Sequence, residues 1–332
     1  MTMKIVAVSI VGFLAVAAGL FVYAGRAQAE NHPAYRQEMS CLICNIKDYG
    51  IKHGRRNFFV IANGGAGLME ENALLPHEQY CRLLEKLDAV MAESVNYGSG
   101  MVMDNPMPAD EQDEYHRLLG SAAKNGIVPM VLDYCQKKSN VQAAYSEDEK
   151  RGYLGWVSAA RNLDRIPEEP IYADNDLSCE ELSKAQNYLV LLSPGEFSSR
   201  KDYIESLALS NYDLLIVDAY YGDTVLTPAE VARLKKKPEG AARLVAAYMS
   251  IGEAEKYRPY WQKSWEKNPP CWLWTANDAW SGSYRAKYWH KQWQQILMGN
   301  QDAYLDRILA AGFDGVFLDV VDVFYEFEQL AN

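Results

Sequence analysis

Short apolar runs that stop on a carboxylate recur along this chain. They include Ala89-Val90-Met91-Ala92-Glu93, Leu214-Leu215-Ile216-Val217-Asp218 and, near the C-terminus, Gly315-Val316-Phe317-Leu318-Asp319. A strand with one wet face alternates apolar and polar residues. These runs do not alternate, which is the pattern of parallel strands covered on both faces. When such strands close into a barrel, their C-terminal ends carry the reacting groups. The terminal acids are thereby expected to converge on one pocket.

Strand-like runs fall at residues 58–62, 89–93, 127–134, 188–192, 213–218, 243–250, 271–275 and 314–319. Helical spacing lies between them, as at 76–87, where Tyr80, Leu83, Leu84 and Leu87 share a face. Further helices are expected at 111–124, stopped by Asn125-Gly126, and at 199–209, 228–236 and 301–311. Residues 146–162 read as a helix opened by Ser146-x-x-Glu149, with a strand at 154–160 as the alternative. Eight strands in repeated βα units predict one (β/α)8 TIM barrel over residues 57–330, its last strand pairing with the first near Phe58. Residues 30–56 are polar and show little periodicity, and they are expected to form an N-terminal linker.

The chain opens with Met1 to Lys4, an apolar stretch to Gly25 and the small-x-small site Ala27-Gln28-Ala29. This describes a secretory signal peptide over residues 1–29; an uncleaved anchor is the alternative, because the stretch approaches the roughly 20 residues that span a bilayer. Either puts the remainder outside the cytoplasm, secreted or periplasmic, with membrane attachment only if the leader stays. Lys4 and Arg26 leave with the leader, which takes the balance from 33 basic against 44 acidic residues to 31 against 44. That sign argues against nucleic acid as a partner and suits a cationic ligand. Export permits disulfides among the six cysteines without fixing their pairing. Cys41-x-x-Cys44 lacks a second ligand pair and no H-E-x-x-H occurs, so no metal is expected. Asn63-Gly64-Gly65-Ala66-Gly67 lacks the spacing of a phosphate-binding loop, so no cofactor is expected either.

Several segments together carry a family likeness. They are Asn211 to Asp218, Ala247-Tyr248-Met249-Ser250-Ile251-Gly252-Glu253-Ala254-Glu255 running on to Trp261, Trp280-Ser281-Gly282-Ser283-Tyr284 with Tyr288-Trp289, and Gly312 to Asp322. Over residues 185–326 the chain resembles the endo-α-1,4-polygalactosaminidase family, glycoside hydrolase family 114, and the bacterial and archaeal glycoside hydrolases grouped with it. Ile61-Ala62-Asn63-Gly64, Ala92-Glu93-Ser94-Val95-Asn96-Tyr97 and Val131-Leu132-Asp133-Tyr134-Cys135 resemble strands that follow the Gly312 segment in relatives, yet here they precede it. A circular permutation of the barrel accounts for this order.

The resemblance implies Asp319 as nucleophile or base and Glu93 as general acid, the two carboxyl groups that glycosidic cleavage needs. Asp322 is expected in the site, either supporting Asp319 or standing in for it. Asp218, Glu253 and Asp133 end predicted strands; they would grip sugar hydroxyls or an amino group, or alternatively pair with bases such as Arg258. Glu255 reads as a surface acid. Asn63 would donate to substrate or simply make a turn. Seven tryptophans fall between residues 261 and 293, and of this aromatic cluster Trp280 and Tyr284 are expected to meet the sugar. His290 stands where relatives would carry an acid. The expected function is an exported hydrolase of a polysaccharide, a cationic galactosamine-rich polymer by resemblance. The alternative is a carbohydrate-binding protein on the same scaffold without catalysis.

Overall fold

The computed structural model describes residues 34–70, 75–194 and 197–330; the signal peptide expected over residues 1–29 lies outside them. Among the described residues no helix is long and apolar enough to cross a membrane. The strands in chain order are β1 (Phe59–Asn63), β2 (Ala89–Glu93), β3 (Val128–Tyr134), β4 (Leu154–Ser158), β5 (Tyr188–Leu191), β6 (Leu214–Asp218), β7 (Tyr220–Tyr221), β8 (Thr224–Val225), β9 (Leu244–Ser250), β10 (Glu253–Glu255), β11 (Leu273–Ala276), β12 (Ser283–Ala286) and β13 (Gly315–Asp319). The helices are α1 (Tyr35–His53), α2 (His77–Lys86), α3 (Ala109–Lys124), α4 (Lys138–Arg151), α5 (Arg200–Leu209), α6 (Pro228–Leu234), α7 (Lys291–Leu297), α8 (Tyr304–Ala311) and α9 (Phe324–Leu330).

Eight of these strands form one parallel sheet in the order β4-β3-β2-β1-β13-β9-β6-β5. The last strand lies beside the first, with Phe59 opposite Gly315 and Ala62 opposite Leu318. At the remaining seam, Leu192 and Ser193 donate their backbone N–H groups to Leu163 C=O at 2.9 and 3.2 Å, and the rings of Trp156 and Tyr188 meet 6.0 Å apart. The result is a nearly closed (β/α)8 barrel with helices around it. Its strands are buried along almost their whole length, as their unbroken apolar runs require.

Two of the strand and helix expectations are corrected. The eighth barrel strand is Leu154–Ser158, so the strand alternative holds over the helix expected through residue 162, and the preceding helix α4 stops earlier, at Gly152 with φ 71°. The run at 271–275 instead supplies β11 of a small antiparallel sheet, β10-β12-β11, that branches off after β9.

The segment expected to be a linker is the 19-residue helix α1. It buries Met39, Leu42, Ile43 and Ile46 against the barrel, and each such side chain contributes about 1.5–3 kcal/mol at most. Polar ties hold its outer faces: Arg36 to Glu328, Lys47 to Asp88 at 2.5 Å, and Tyr49 to Asp306 at 2.7 Å. Helix α1 thus joins elements from both ends of the barrel.

Candidate active site

Three neighbouring strands, β2, β1 and β13, end on Glu93, Asn63 and Asp319. In each, the next residue enters the left-handed region: Ser94 at φ 58°, Gly64 at φ 75° and Val320 at φ 59°. Glycine takes that conformation freely, but serine and the β-branched valine are strained there by roughly 1–3 kcal/mol each. The backbone therefore turns away immediately beyond each functional side chain. Gly64 has a second reason to lack a side chain, because a Cβ there would come within 2.8 Å of Asp322 Cγ.

The three side chains meet. Asn63 Nδ2 donates to Glu93 Oε1 at 3.1 Å and to Asp319 Oδ1 at 2.9 Å. Tyr134 at the end of β3 donates its hydroxyl to the other oxygen, Glu93 Oε2, at 2.7 Å, and the Arg161 guanidinium lies 4.0 Å from the Tyr134 ring centre. Burial pushes the Glu93 carboxyl up to about 8; the Tyr134 and Asn63 hydrogen bonds oppose this and the negative Asp319 adds to it. Burial also raises Asp319, but only to about 6, because Asn63, the Val320 backbone N–H and the Tyr248 hydroxyl stabilise its charge. At neutral pH Glu93 consequently holds a proton while Asp319 is ionised, the division of roles that acid and nucleophile require.

The other expected site residues divide. Asp322 stands against Gly64, part-exposed, and burial followed by repulsion from Asp319 pushes it up to about 7. Asp218 is buried, and both of its oxygens accept from Arg258 Nη1 at 2.7 and 2.8 Å, so the pairing alternative holds and it is not free for a sugar. Glu253 is likewise held by Asn277 Nδ2 at 2.8 Å and by Arg285, which also binds Glu326. Asp133 is a correction. Side chains alternate along a strand, so with Tyr134 reaching Glu93, Asp133 faces away, where it accepts from Asn96 and from the Tyr97 N–H beside Asp148. The expected substrate contact from Asn63 is also corrected, since both of its amide hydrogens are used by the two carboxyl groups and only 1% of the residue is exposed.

Trp280 and Tyr284 lie half-buried at the β11–β12 end of the small sheet, and Tyr284 stacks on Trp261 at 5.0 Å. Most of the tryptophan cluster is packing: Trp261, Trp265, Trp272 and Trp293 touch in series, the last two fully buried. Glu255 is not a surface acid, for it is buried and receives Arg258 Nε at 2.7 Å and Tyr248 Oη at 3.1 Å. His290 caps α7 through Nδ1. Among the described residues no group of three or more His, Cys, Asp or Glu is placed to hold a metal ion, and the six cysteines are free. Tyr134, Arg161 and Tyr248 went unnoticed in the sequence. The one available signal was that Tyr134 follows Asp133 at a strand end, where period-two alternation must send one of the two inward.

Residues 201–332 match the model of glycoside-hydrolase family GH114. An uncharacterized protein of Methanocaldococcus jannaschii is 44% identical over 132 residues, which cover 39% of this chain and 35% of the relative. An uncharacterized protein of Deinococcus radiodurans is 37% identical over 121 residues, 36% of this chain and 37% of the relative. One from Thermotoga maritima is 45% identical over 83 residues, 25% and 24% of the two chains. The matched segments thus span a quarter to just over a third of these relatives. The family match contains Asp319 and Asp322, whereas Asn63, Glu93 and Tyr134 lie outside it and are brought to Asp319 by the fold.

Proposed function

We propose that this protein is a glycoside hydrolase in which Glu93 protonates the departing glycosidic oxygen and Asp319 attacks the anomeric carbon. The observation that carries this reading is the pair itself: two buried carboxyl groups on one amide, with the proton favoured on Glu93 and the charge on Asp319. Bonds of 3.1 and 2.9 Å from a single nitrogen keep the two acceptor oxygens within about 6 Å. That spacing is shorter than the roughly 6.5–9.5 Å that an inverting pair keeps to fit a water beside the sugar, and it favours retention through a covalent glycosyl ester. In the first step an Asp319 oxygen bonds to the anomeric carbon as the C–O bond breaks, and the Glu93 proton passes to the leaving oxygen. Asp319 is then an uncharged ester, so its repulsion of the new Glu93 carboxylate disappears. Glu93 can next take a proton from water as that water attacks the same carbon and frees Asp319.

The substrate we propose is a polysaccharide rich in galactosamine. Asp322 supports it: it is part-exposed at the barrel mouth and, among the described residues, receives no side-chain hydrogen bond, and so can meet an ammonium group. Export through the leader, and a circular permutation that puts the Asn63, Glu93 and Asp133 strands ahead of the Gly312 segment in the chain, belong to the same proposal. The test is to incubate the protein with partially deacetylated α-1,4-linked polygalactosamine and follow chain length by mass spectrometry, beside Glu93→Gln and Asp319→Asn. The parent should shorten the polymer and both variants should leave it intact. Retention of the polymer by all three without cleavage would favour the carbohydrate-binding alternative, and equal cleavage by all three would refute the assignment.

A further inference from the structure

We infer that Asn63 is a positioning residue whose one amide nitrogen fixes the spacing of Glu93 and Asp319 and couples their charge states, without touching substrate; this rests on the hydrolase reading above. The geometry leaves the amide little choice. Strand β1 lies between β2 and β13, so its terminal side chain alone stands between the two carboxyl groups. The two amide hydrogens diverge, and each meets a carboxyl oxygen. Turning the amide over would set Asn63 Oδ1 against two acceptor oxygens. The orientation adopted instead leaves Oδ1 buried with no partner, a cost of the kind that native proteins rarely accept. The Gly64 N–H bond to Met91 C=O, 3.0 Å, and the left-handed turn at Gly64 keep the side chain in place.

Other side chains do not combine these properties. Aspartate has the shape but no hydrogens, serine offers one hydrogen for two acceptors, and alanine offers none. The remaining charged and titratable groups facing the pair lean toward one member or the other, although the Tyr134 hydroxyl, bonded to Glu93, also feels the Asp319 charge. Tyr134 and Arg161 face Glu93; Tyr248, Glu255 and Asp322 face Asp319; Tyr115 lies near both Asp322 and Glu93, and Arg285 offsets Asp322. Among the described residues only Asn63 bonds to both carboxyl groups. A donor to a carboxylate favours its charged form, so losing this nitrogen should move both groups upward together.

The experiment uses the full chain with Asn63→Ala, Asn63→Ser and the near-isosteric Asn63→Asp, each checked for a cooperative melt. Carboxyl carbon NMR would follow the titrations of Glu93 and Asp319, and the pH dependence of polymer cleavage would be measured alongside. In Asn63→Ala and Asn63→Asp both carboxyl titrations should rise by about one to two pH units, the worth of a hydrogen bond to a charged group. In Asn63→Ser only one should remain near its parent value. Both limbs of the rate profile should shift upward in Asn63→Ala, with KM unchanged. Unmoved titrations in the folded variants, or a raised KM with unmoved limbs, would overturn the inference. The titrations need no substrate, so they decide the role of Asn63 even if the parent proves unable to cut the polymer, a result that would sink the hydrolase reading instead.

Discussion

Replacing Glu93 with glutamine should stabilise the fold at alkaline pH even as it abolishes cleavage. In the folded protein Glu93 keeps its proton to about pH 8, whereas an unperturbed glutamate loses it near 4.5. Between these values the folded state binds the extra proton. The stabilisation is therefore fully present below 4.5, falls as pH rises, and is lost once pH passes 8. At about 1.4 kcal/mol per pH unit, the rise corresponds to about 5 kcal/mol, an upper bound that local relaxation reduces. Glutamine has no such proton to lose, and its Oε1 can still accept from Asn63. The other raised carboxyl groups, Asp133, Asp148, Asp218, Asp319 and Asp322, are present in both proteins and largely cancel from the comparison. Urea unfolding followed by tryptophan fluorescence across pH 4.5 to 8.5 should show the variant gaining on the parent by roughly 2–5 kcal/mol. A difference that stays flat, or that narrows toward alkaline pH, would refute the placement of a protonated Glu93 in this site.

Tyr134→Phe removes a donor that favours the Glu93 carboxylate, so the alkaline limb of the cleavage profile should rise by about one to two pH units while the acid limb, set by Asp319, stays. Gly64→Ala forces a side chain into the left-handed region at a cost of roughly 1–2 kcal/mol and displaces the Asp322 carboxyl; a lower melting temperature and weaker cleavage should appear together. Arg258→Met leaves Asp218 and Glu255 buried without their shared cation, and the urea midpoint should fall by an amount corresponding to roughly 3–5 kcal/mol.

The barrel was legible because strands buried on both faces must be apolar throughout, and seven of the eight could be read from such runs. The eighth stood only as the alternative to a helix, for a physical reason. Leu154–Ser158 is as short and as mixed as Cys271–Thr275, and only tertiary pairing, to β3 in one case and β12 in the other, separates them. Helix α1 left a fainter trace: Met39, Leu42, Ile43 and Ile46 recur at helical spacing, diluted by polar neighbours that face α2 and α9. In the site, Glu93 and Asp319 are named through the family resemblance, and the strand-end pattern by itself offers Asp133, Asp218 and Glu253 equally. Which of Asp133 and Tyr134 points inward could not be read, since a strand covered on both faces carries no polarity that marks one side. Likewise, Asp218 looks like a ligand-gripping acid until Arg258, forty residues on, is seen to occupy both of its oxygens.

Because β13 closes against β1, the chemistry is split across the join between the earliest and latest strands of the barrel. Glu93 and Asn63 are synthesised more than two hundred residues before Asp319 reaches them. A ribosome-bound chain that has not yet released its last strand therefore has Glu93 and Asn63 but not Asp319 beside them, and its first strand presents an open edge. Clipping the protein ahead of residue 315 would recreate that inert, sticky state, so cleavage competence and resistance to aggregation should appear in the same moment of folding.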